Sequence, residues 1–304
     1  MNKKNNTTID IKTGFQCNNN CKFCAQGNQR NFRNNFSTEQ IKKILIENKT
    51  IFDNVVLTGG EITIRSDFLE LVKFAKNCNY KNIFIQSNGR MFSYVDLCEK
   101  VAEIGVNNFY LSLHGSTPEI HDGLTRVAGS FEQTIKGIKN LINLGQKVST
   151  NTVVTKINYM DMPNVAELLS KLNVFSFQFS FMDINSVIEK NKEEIDIIVP
   201  RYKDVKESVE KGLQIGLDFN SKCKTESFPF CSLSRKYYDC IPFKRMEDYF
   251  VRDGERTQNM TEIRKNKLKK QGEKCKQCKF YDVCEGPWSN YVNIFGFDEF
   301  NPII

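Results

Sequence analysis

Three cysteines near the start of the chain have the spacing C-x3-C-x2-C: Cys17, Cys21 and Cys24, within FQCNNNCKFCAQ. An aromatic residue, Phe23, directly precedes the third. Three thiolates from one short loop can hold three irons of a 4Fe–4S cluster, which leaves the fourth iron free to bind a small molecule. Structural zinc sites usually have four protein ligands. The motif alone leaves two interpretations open, a cluster with an open iron or a zinc knuckle completed elsewhere.

A second group of three cysteines has the spacing C-x2-C-x5-C and comprises Cys275, Cys278 and Cys284. Thiolates at this spacing can reach one metal centre from one loop, and a fourth ligand must then come from upstream. Cys231 is our first choice because apolar neighbours would shield a cluster. Cys240 is the second choice, and Cys223, between two lysines, is the third. We expect a 4Fe–4S cluster here, with a zinc site on the same ligands as the alternative.

The composition limits what the other cysteines can do. The chain has 304 residues, eleven of them cysteine, and a net charge of +7, a mild excess that favours an anionic substrate or a basic surface. The sequence begins with the polar MNKKNNTTID, and no apolar run approaches the roughly 20 residues that span a membrane. We therefore expect a cytoplasmic protein without a disulfide framework. Cys78 and Cys98, isolated in helix-like stretches, are expected to be buried apolar residues.

Six predicted strands alternate with helices over the first 181 residues. The helix after the cysteine loop begins at a capping box formed by Ser37 and Gln40. Such alternation predicts a parallel sheet with right-handed crossovers, and six units are too few for a closed eight-stranded barrel. The predicted strands are 7–12, 52–57, 82–86, 108–113, 147–154 and 174–181.

Polar and glycine-rich segments follow these strands where each one ends. The cysteine loop follows the first strand, and Gly59-Gly60-Glu61 follows the second. Asn88 and Ser112 lie at the ends of the third and fourth. Because the carboxyl ends of parallel strands meet at one rim of a barrel, we expect these residues to form one site.

The cysteine loop, together with a Gly-Gly-Glu element 35 residues after its last cysteine, resembles the radical S-adenosylmethionine (SAM) superfamily. In that family the open iron is chelated by the methionine moiety of SAM, and the Gly-Gly-Glu element meets its amino group. Arg126, in HDGLTR, resembles an arginine that pairs with the SAM carboxylate. The cofactor-binding residues that the resemblance implies are Phe23, Gly59, Gly60, Glu61, Asn88, Ser112 and Arg126.

Local explanations exist for several of these residues. Two glycines also make a tight turn, Asn-Gly is a common turn pair, and Arg126 also suits a surface ion pair. Asn151, on the fifth strand, is a further candidate for a SAM contact. His114 and His121 are the only histidines. We expect a structural or SAM-adjacent role for them, because radical chemistry does not need a general base.

The resemblance implies a fold and an activity. The fold is an α/β partial (β/α)6 TIM-like barrel over residues 1–190, with a small iron–sulfur extension of the SPASM or twitch type over 191–304. The activity is reductive cleavage of SAM to a 5′-deoxyadenosyl radical, which abstracts hydrogen from a substrate. The expected cofactors are a 4Fe–4S cluster, SAM and a second 4Fe–4S cluster. The expected electron donor is a protein such as flavodoxin or ferredoxin.

The sequence of this extension indicates how many auxiliary clusters and which class of substrate to expect. A full SPASM pattern has a cysteine four positions after the last of the trio, and this chain has Trp288 there. We therefore expect a single auxiliary cluster. Enzymes with such extensions often act on ribosomally made peptides, forming thioether or carbon–carbon links or epimers, so a peptide substrate is our hypothesis. The glycine-rich C-terminus typical of the molybdenum-cofactor cyclase is not found, which favours another activity.

A non-catalytic protein is the alternative. The segment RKNKLKKQGEKCKQCK, residues 264–279, is strongly basic. An iron–sulfur or zinc protein could bind nucleic acid through it. The simplest interpretation of such a run is a solvent-exposed face, and we expect no nucleic-acid partner. Formation of 5′-deoxyadenosine from SAM distinguishes the enzyme from this alternative.

Overall fold

The structure, a computed structural model, describes residues 7–184, 194–242, 249–254 and 256–304. Nine strands in this part of the chain form one sheet. Their bounds are β1 Thr8–Lys12, β2 Asn54–Thr58, β3 Asn82–Ser87, β4 Asn108–Ser112, β5 Lys147–Val154, β6 Ser176–Phe181, β7 Lys222–Glu226, β8 Phe250–Asp253 and β9 Arg256–Asn259.

The α-helices connect the strands of this sheet and continue into the C-terminal part. The predicted capping box forms at the start of the first helix, where the Ser37 hydroxyl and the Gln40 amide exchange hydrogen bonds with each other's backbone. The helix bounds are α1 Thr38–Lys49, α2 Phe68–Asn77, α3 Val95–Glu103, α4 Pro118–Thr125, α5 Ser130–Asn143, α6 Met162–Lys171, α7 Ile195–Ile198, α8 Tyr202–Asp218, α9 Met260–Ile263 and α10 Ser289–Phe295.

The first six strands run parallel in the order of the chain, as predicted, so the α/β fold class is confirmed. The sheet also extends beyond them at both edges. Strand β7 adds in parallel to β6, and β8 adds in parallel to β1, with β9 antiparallel to β8. The sequence pattern missed these three strands because each is short and at least half of its residues are polar or charged.

The two faces of β1 show how the sheet separates core from cavity. Ile9 and Ile11 are fully buried in the core, whereas Asp10 and Lys12, on the opposite face, line a cavity inside the curved sheet. Side chains alternate across a strand, so one face of a barrel strand packs against the helices and the other lines the interior. A functional site inside this sheet is therefore lined by polar strand residues.

The C-terminal part shares a core with the barrel. The ring of Phe181, at the end of β6, stacks on Tyr202 of α8 and meets Tyr291 of α10 edge-on. Phe228 and Phe300 complete this aromatic cluster. The predicted boundary between residues 190 and 191 lies outside the described residues, and the division into two domains stays a prediction. In the described segments, no helix is long and apolar enough to cross a membrane.

Candidate active site

One cavity of about 480 Å³ opens at the carboxyl ends of the strands. The cysteine loop forms one wall of it, and the loops after β2 and β3 form another. Eight of the residues predicted for a cluster and SAM line this cavity: Cys17, Cys21, Phe23, Cys24, Gly59, Gly60, Asn88 and Ser112. Glu61 and Arg126, which were also predicted to bind SAM, are not among the described residues that line it.

Three arginines hold the backbone of the cysteine loop. Each donates to one carbonyl of the consecutive residues 18–20: Arg90 to the Asn18 oxygen, Arg30 to Asn19 at 2.8 Å and Arg126 to Asn20 at 2.8 Å. The loop thereby has its carbonyl groups satisfied without secondary structure. Arg126 is exposed and contacts the outside of the loop. Its predicted contact with the SAM carboxylate finds no support in this geometry.

The two glycines after β2 pack directly against the cysteine loop. The Gly60 amide donates to the Gly14 carbonyl at 2.8 Å, and the Glu61 amide donates to the Gln16 carbonyl at 2.8 Å. A Cβ atom added at Gly60 would overlap the Gln16 carbonyl oxygen and come within 2.5 Å of the Phe15 oxygen. Glycine is therefore required at position 60 by this close backbone approach.

The carboxylate of Glu61 is used within the protein. It is buried and accepts hydrogen bonds from the hydroxyls of Thr63 and Ser87 and from the backbone amide of Asn88 at 2.6 Å. Burial raises its pKa, and these hydrogen bonds act in the opposite direction. Glu61 thus joins the loop after β2 to the loop after β3. This fixes two walls of the cavity relative to each other.

Polar side chains from β3 to β6 face the cavity. The Asn88 amide donates to the Asn18 side chain at 2.7 Å and approaches the Cys17 sulfur at 3.8 Å. Asn151, which lines the same cavity with Ser112, accepts from the Ser180 hydroxyl at 2.5 Å. Asn88 thus joins the rim of the cavity to the cysteine loop, and Asn151 contributes to its polar lining.

Of the two histidines, His114 lines the cavity and His121 does not. His114 lines the cavity and packs edge-on against the Phe23 ring, with 4.6 Å between ring centroids. His121 lies behind it and accepts from the His114 backbone amide at 3.0 Å. Burial, followed by the charge of His121, holds the pKa of His114 well below its usual value, and burial lowers the pKa of His121 to about 4. Both rings are neutral at pH 7, which suits packing beside a cofactor.

The sequence reasoning missed an acid inside the barrel. Asp10 is buried at the cavity and accepts from the Tyr249 hydroxyl at 2.6 Å. Burial raises its pKa to about 6, against the effects of that hydrogen bond and of Lys12. The signal was a charged residue in the middle of an alternating strand, TIDIK, on the face opposite its isoleucines.

The cavity fits a cluster and a ligand with hydrogen-bond donors. The three thiols share one wall, and burial raises the pKa of the Cys17 thiol, so a thiolate there needs cations nearby. The Gln26 amide donates to the Gly59 carbonyl, while its own oxygen is buried and has no hydrogen-bond partner in the described residues. A buried acceptor of this kind would be satisfied by a donor from a bound group. The amino group of SAM is such a donor.

The second group of cysteines also comes together. Cys275, Cys278 and Cys284 line one small cavity with Cys231, and Phe230 and Phe300 also line it. Burial, and then the charges of the other three thiolates, raise the pKa of Cys231 to about 12. Four half-buried thiols that line one cavity fit a site for a metal centre. In the described residues, no three His, Cys, Asp or Glu side chains are spaced to share a single metal ion.

The other upstream cysteines lie apart from this group. Cys223 of β7 and Cys240 are both buried, and their sulfur atoms are 4.0 Å from each other. Neither is among the described residues that line the cavity of the second group. The geometry favours Cys231, our first choice, as the fourth ligand, and the ligand set stays a prediction. Cys98 is buried as expected, and Cys78 is half-buried.

Comparison with known proteins supports the resemblance to the radical SAM superfamily that the sequence motifs indicate. The profile of the Radical SAM superfamily matches residues 11–169, more than half of the chain. Fe-coproporphyrin III synthase of Methanosarcina barkeri is 26% identical over 204 residues, which are 63% of this chain and 50% of that protein. A probable GTP 3′,8-cyclase of Saccharolobus solfataricus is 31% identical over 168 residues, 55% of this chain and 54% of its own. The chain thus spans about half the length of these curated relatives.

Solved structures share the fold over nearly the whole chain. Streptococcus suis SuiB bound to S-adenosylmethionine has a TM-score of 0.67 at 18% identity, covering 98% of this chain and 76% of its own. Native anSMEcpe with bound AdoMet and a peptide has a TM-score of 0.54 at 16% identity, covering 92% and 88%. The profile match, the thiol-lined cavity and the parallel barrel agree. The chain belongs to the radical SAM superfamily, whose members use a 4Fe–4S cluster and SAM.

Proposed function

We propose that the protein is a radical SAM enzyme that abstracts a hydrogen atom from a peptide substrate. The observation that carries the proposal is the convergence of three thiols, the Gly59-Gly60 loop and the polar strand ends on one cavity. When bound there, the reduced cluster and SAM supply a 5′-deoxyadenosyl radical that removes hydrogen from an unactivated C–H bond. The protein supplies orientation and exclusion of water.

Residues of the chain divide these tasks. Cys17, Cys21 and Cys24 would hold the cluster, on a loop that the arginine contacts keep in one conformation. Gln26 and the Gly59-Gly60 backbone would face SAM, and the Phe23 and His114 rings would cover one side of it. A second centre on Cys231, Cys275, Cys278 and Cys284 would accept an electron from the substrate or bind the substrate.

Two observations support a peptide as the substrate. SuiB has also been solved with its precursor peptide SuiA, and that structure covers 98% of this chain with a TM-score of 0.66. The second group of cysteines lies in a C-terminal extension of the type that is common among peptide-modifying members of the superfamily. Curated relatives include GTP cyclases, so a nucleotide is the competing substrate class. A flavodoxin or ferredoxin remains the proposed electron donor.

Anaerobic reconstitution tests the proposal. The wild type, given SAM and dithionite, is expected to form 5′-deoxyadenosine at least slowly. The Cys17/Cys21/Cys24→Ala variant is expected to form none, and Cys78→Ala, which alters a half-buried cysteine elsewhere, is the matched control. No 5′-deoxyadenosine from the wild type would favour the non-catalytic metalloprotein, and full activity of the triple variant would end the enzyme assignment.

A further inference from the structure

A second cavity of about 470 Å³ adjoins the first. Glu226, Ser227 and Arg264 line both cavities, and Cys284 of the second group of cysteines lines the second cavity but not the first. Its volume falls within the roughly 300–1,000 Å³ of small-molecule sites. A substrate lying in it would reach from the proposed SAM site toward the proposed auxiliary centre.

One lysine of this cavity has no hydrogen-bond acceptor among the described residues. Lys269 lines the cavity with only 5% of its surface exposed, and its ammonium group has no hydrogen-bond partner in the described part of the chain. The nitrogen lies 3.5 Å from the centre of the Trp288 ring. A backbone bridge between the same two residues fixes its position. Three N–H donors are thus held at the cavity wall without an acceptor, which is costly for a buried group.

The charges around this ammonium group identify the missing acceptor. Arg264 is buried between Glu226, at 2.9 Å, and Glu285. Burial, and then the repulsion by Arg264, lower the pKa of Lys269 to about 7, against the attraction of Glu285, Glu226 and Asp183. Three carboxylates therefore surround Arg264 and a lysine whose positive charge is disfavoured by burial. An anionic ligand would add negative charge to a buried site whose acids already outnumber its bases, whereas a carbonyl oxygen would satisfy the donors without doing so.

We propose that Lys269 donates hydrogen bonds to backbone carbonyl oxygens of a peptide substrate in this cavity. The inference rests on the proposed function, because the same substrate must extend into the first cavity. The proposal excludes a triphosphate nucleotide as the ligand of the second cavity. The basic segment 264–279, expected from sequence to be a solvent-exposed face, thus contains two buried basic residues, Arg264 and Lys269, at a candidate substrate site.

The only tryptophan of the chain makes this site measurable. Trp288 emission is followed in the reconstituted, SAM-bound protein without reductant, during titration with a neutral probe, N-acetyl-tetraglycine N-methylamide. The wild type is expected to show a saturable change, and tripolyphosphate is expected to give none. In Lys269→Met the peptide should bind about tenfold more weakly, as loss of a charged hydrogen bond predicts.

Two further variants control the titration. Lys270→Met changes the neighbouring exposed lysine and should bind the peptide as the wild type does. Lys269→Arg keeps a cation and its donors and should retain most of the binding even if Lys269→Met fails to fold. Three results would overturn the proposal: no saturable change in the wild type, equal peptide affinity in Lys269→Met, or tripolyphosphate binding that depends on Lys269. SAM cleavage is assayed separately with dithionite. Failure of the proposed function, seen as absence of SAM cleavage, is therefore distinguishable from failure of the Lys269 proposal, seen in the peptide titration.

Discussion

At the scale of single residues, the arginines around the cysteine loop act on its backbone. Arg30, Arg90 and Arg126 each hold one carbonyl of residues 18–20. A loop without regular structure keeps its geometry only when its backbone groups find partners, and guanidinium groups are strong donors to carbonyl oxygens. The conformation of the CNNNC segment therefore depends on Arg126, directly after α4, and on Arg30 and Arg90.

Replacing Arg126 distinguishes its two proposed roles, binding the SAM carboxylate and holding the backbone of the cysteine loop. The sequence hypothesis, a bond to the SAM carboxylate, expects Arg126→Ala to weaken SAM binding by roughly 1.5–3 kcal/mol. From the structure we expect an unchanged dissociation constant for SAM, together with a lower iron content from the looser loop. Calorimetry and iron analysis on the reconstituted variant measure both quantities. A SAM affinity about tenfold weaker at full iron content would restore the sequence assignment.

At the scale of elements, the cavity depends on how closely the loops after β1 and β2 approach each other. The Gly-Gly-Glu element joins these loops by backbone hydrogen bonds, and Glu61 connects them onward to the loop after β3. The element therefore has a structural use that does not need SAM. Its glycines satisfy a packing requirement, in addition to any contact with the cofactor.

Gly60→Ala tests this packing. The added methyl group would overlap carbonyl oxygens of residues 15 and 16, so the variant is expected to lose about 1–3 kcal/mol of unfolding free energy, the usual cost of overpacking. It should also take up less iron at the first site.

Gly123→Ala is the matched control, because an added Cβ there would have no atom within 4 Å. This exposed helical position should gain about 0.5–1 kcal/mol. Denaturant unfolding of both variants provides the comparison. Equal stabilities would show that the loops can move apart without cost.

At the scale of the whole molecule, the described segments from residue 194 onward extend the parallel sheet of the partial barrel. Strands β7 and β8 extend the sheet at its two edges, and Glu226 of β7 pairs with Arg264 between the two cavities. The proposed SAM site and the second cysteine group are therefore parts of one packed structure. A substrate between them would contact residues from both ends of the chain.

The second metal centre gives the test at this scale. If four thiols hold a 4Fe–4S cluster, the wild type carries about eight irons per chain and Cys231→Ala about four. Cys240→Ala, the matched control, should keep about eight, because Cys240 lies beside Cys223 and apart from the group. Iron near four with one equivalent of zinc in the wild type would indicate a zinc site. Loss of iron in Cys240→Ala alone would refute the choice of Cys231.

Local patterns in the sequence were sufficient for the family, the fold class and the thiol motif. The spacing of Cys17, Cys21 and Cys24, the six alternating strands and the capping box are properties of neighbouring residues, and short segments carry them without reference to the fold. The superfamily profile and the parallel sheet confirm the family and the fold class. The roles of individual site residues remain predictions.

Only the tertiary structure decided which distant residues meet. It placed Arg126 on the outside of the loop and Lys269 inside a cavity, although both are single basic residues in polar sequence. It also separated Cys231 from the pair formed by Cys223 and Cys240. These outcomes depend on burial and on contacts between residues far apart in the chain, which local spacing and periodicity do not encode.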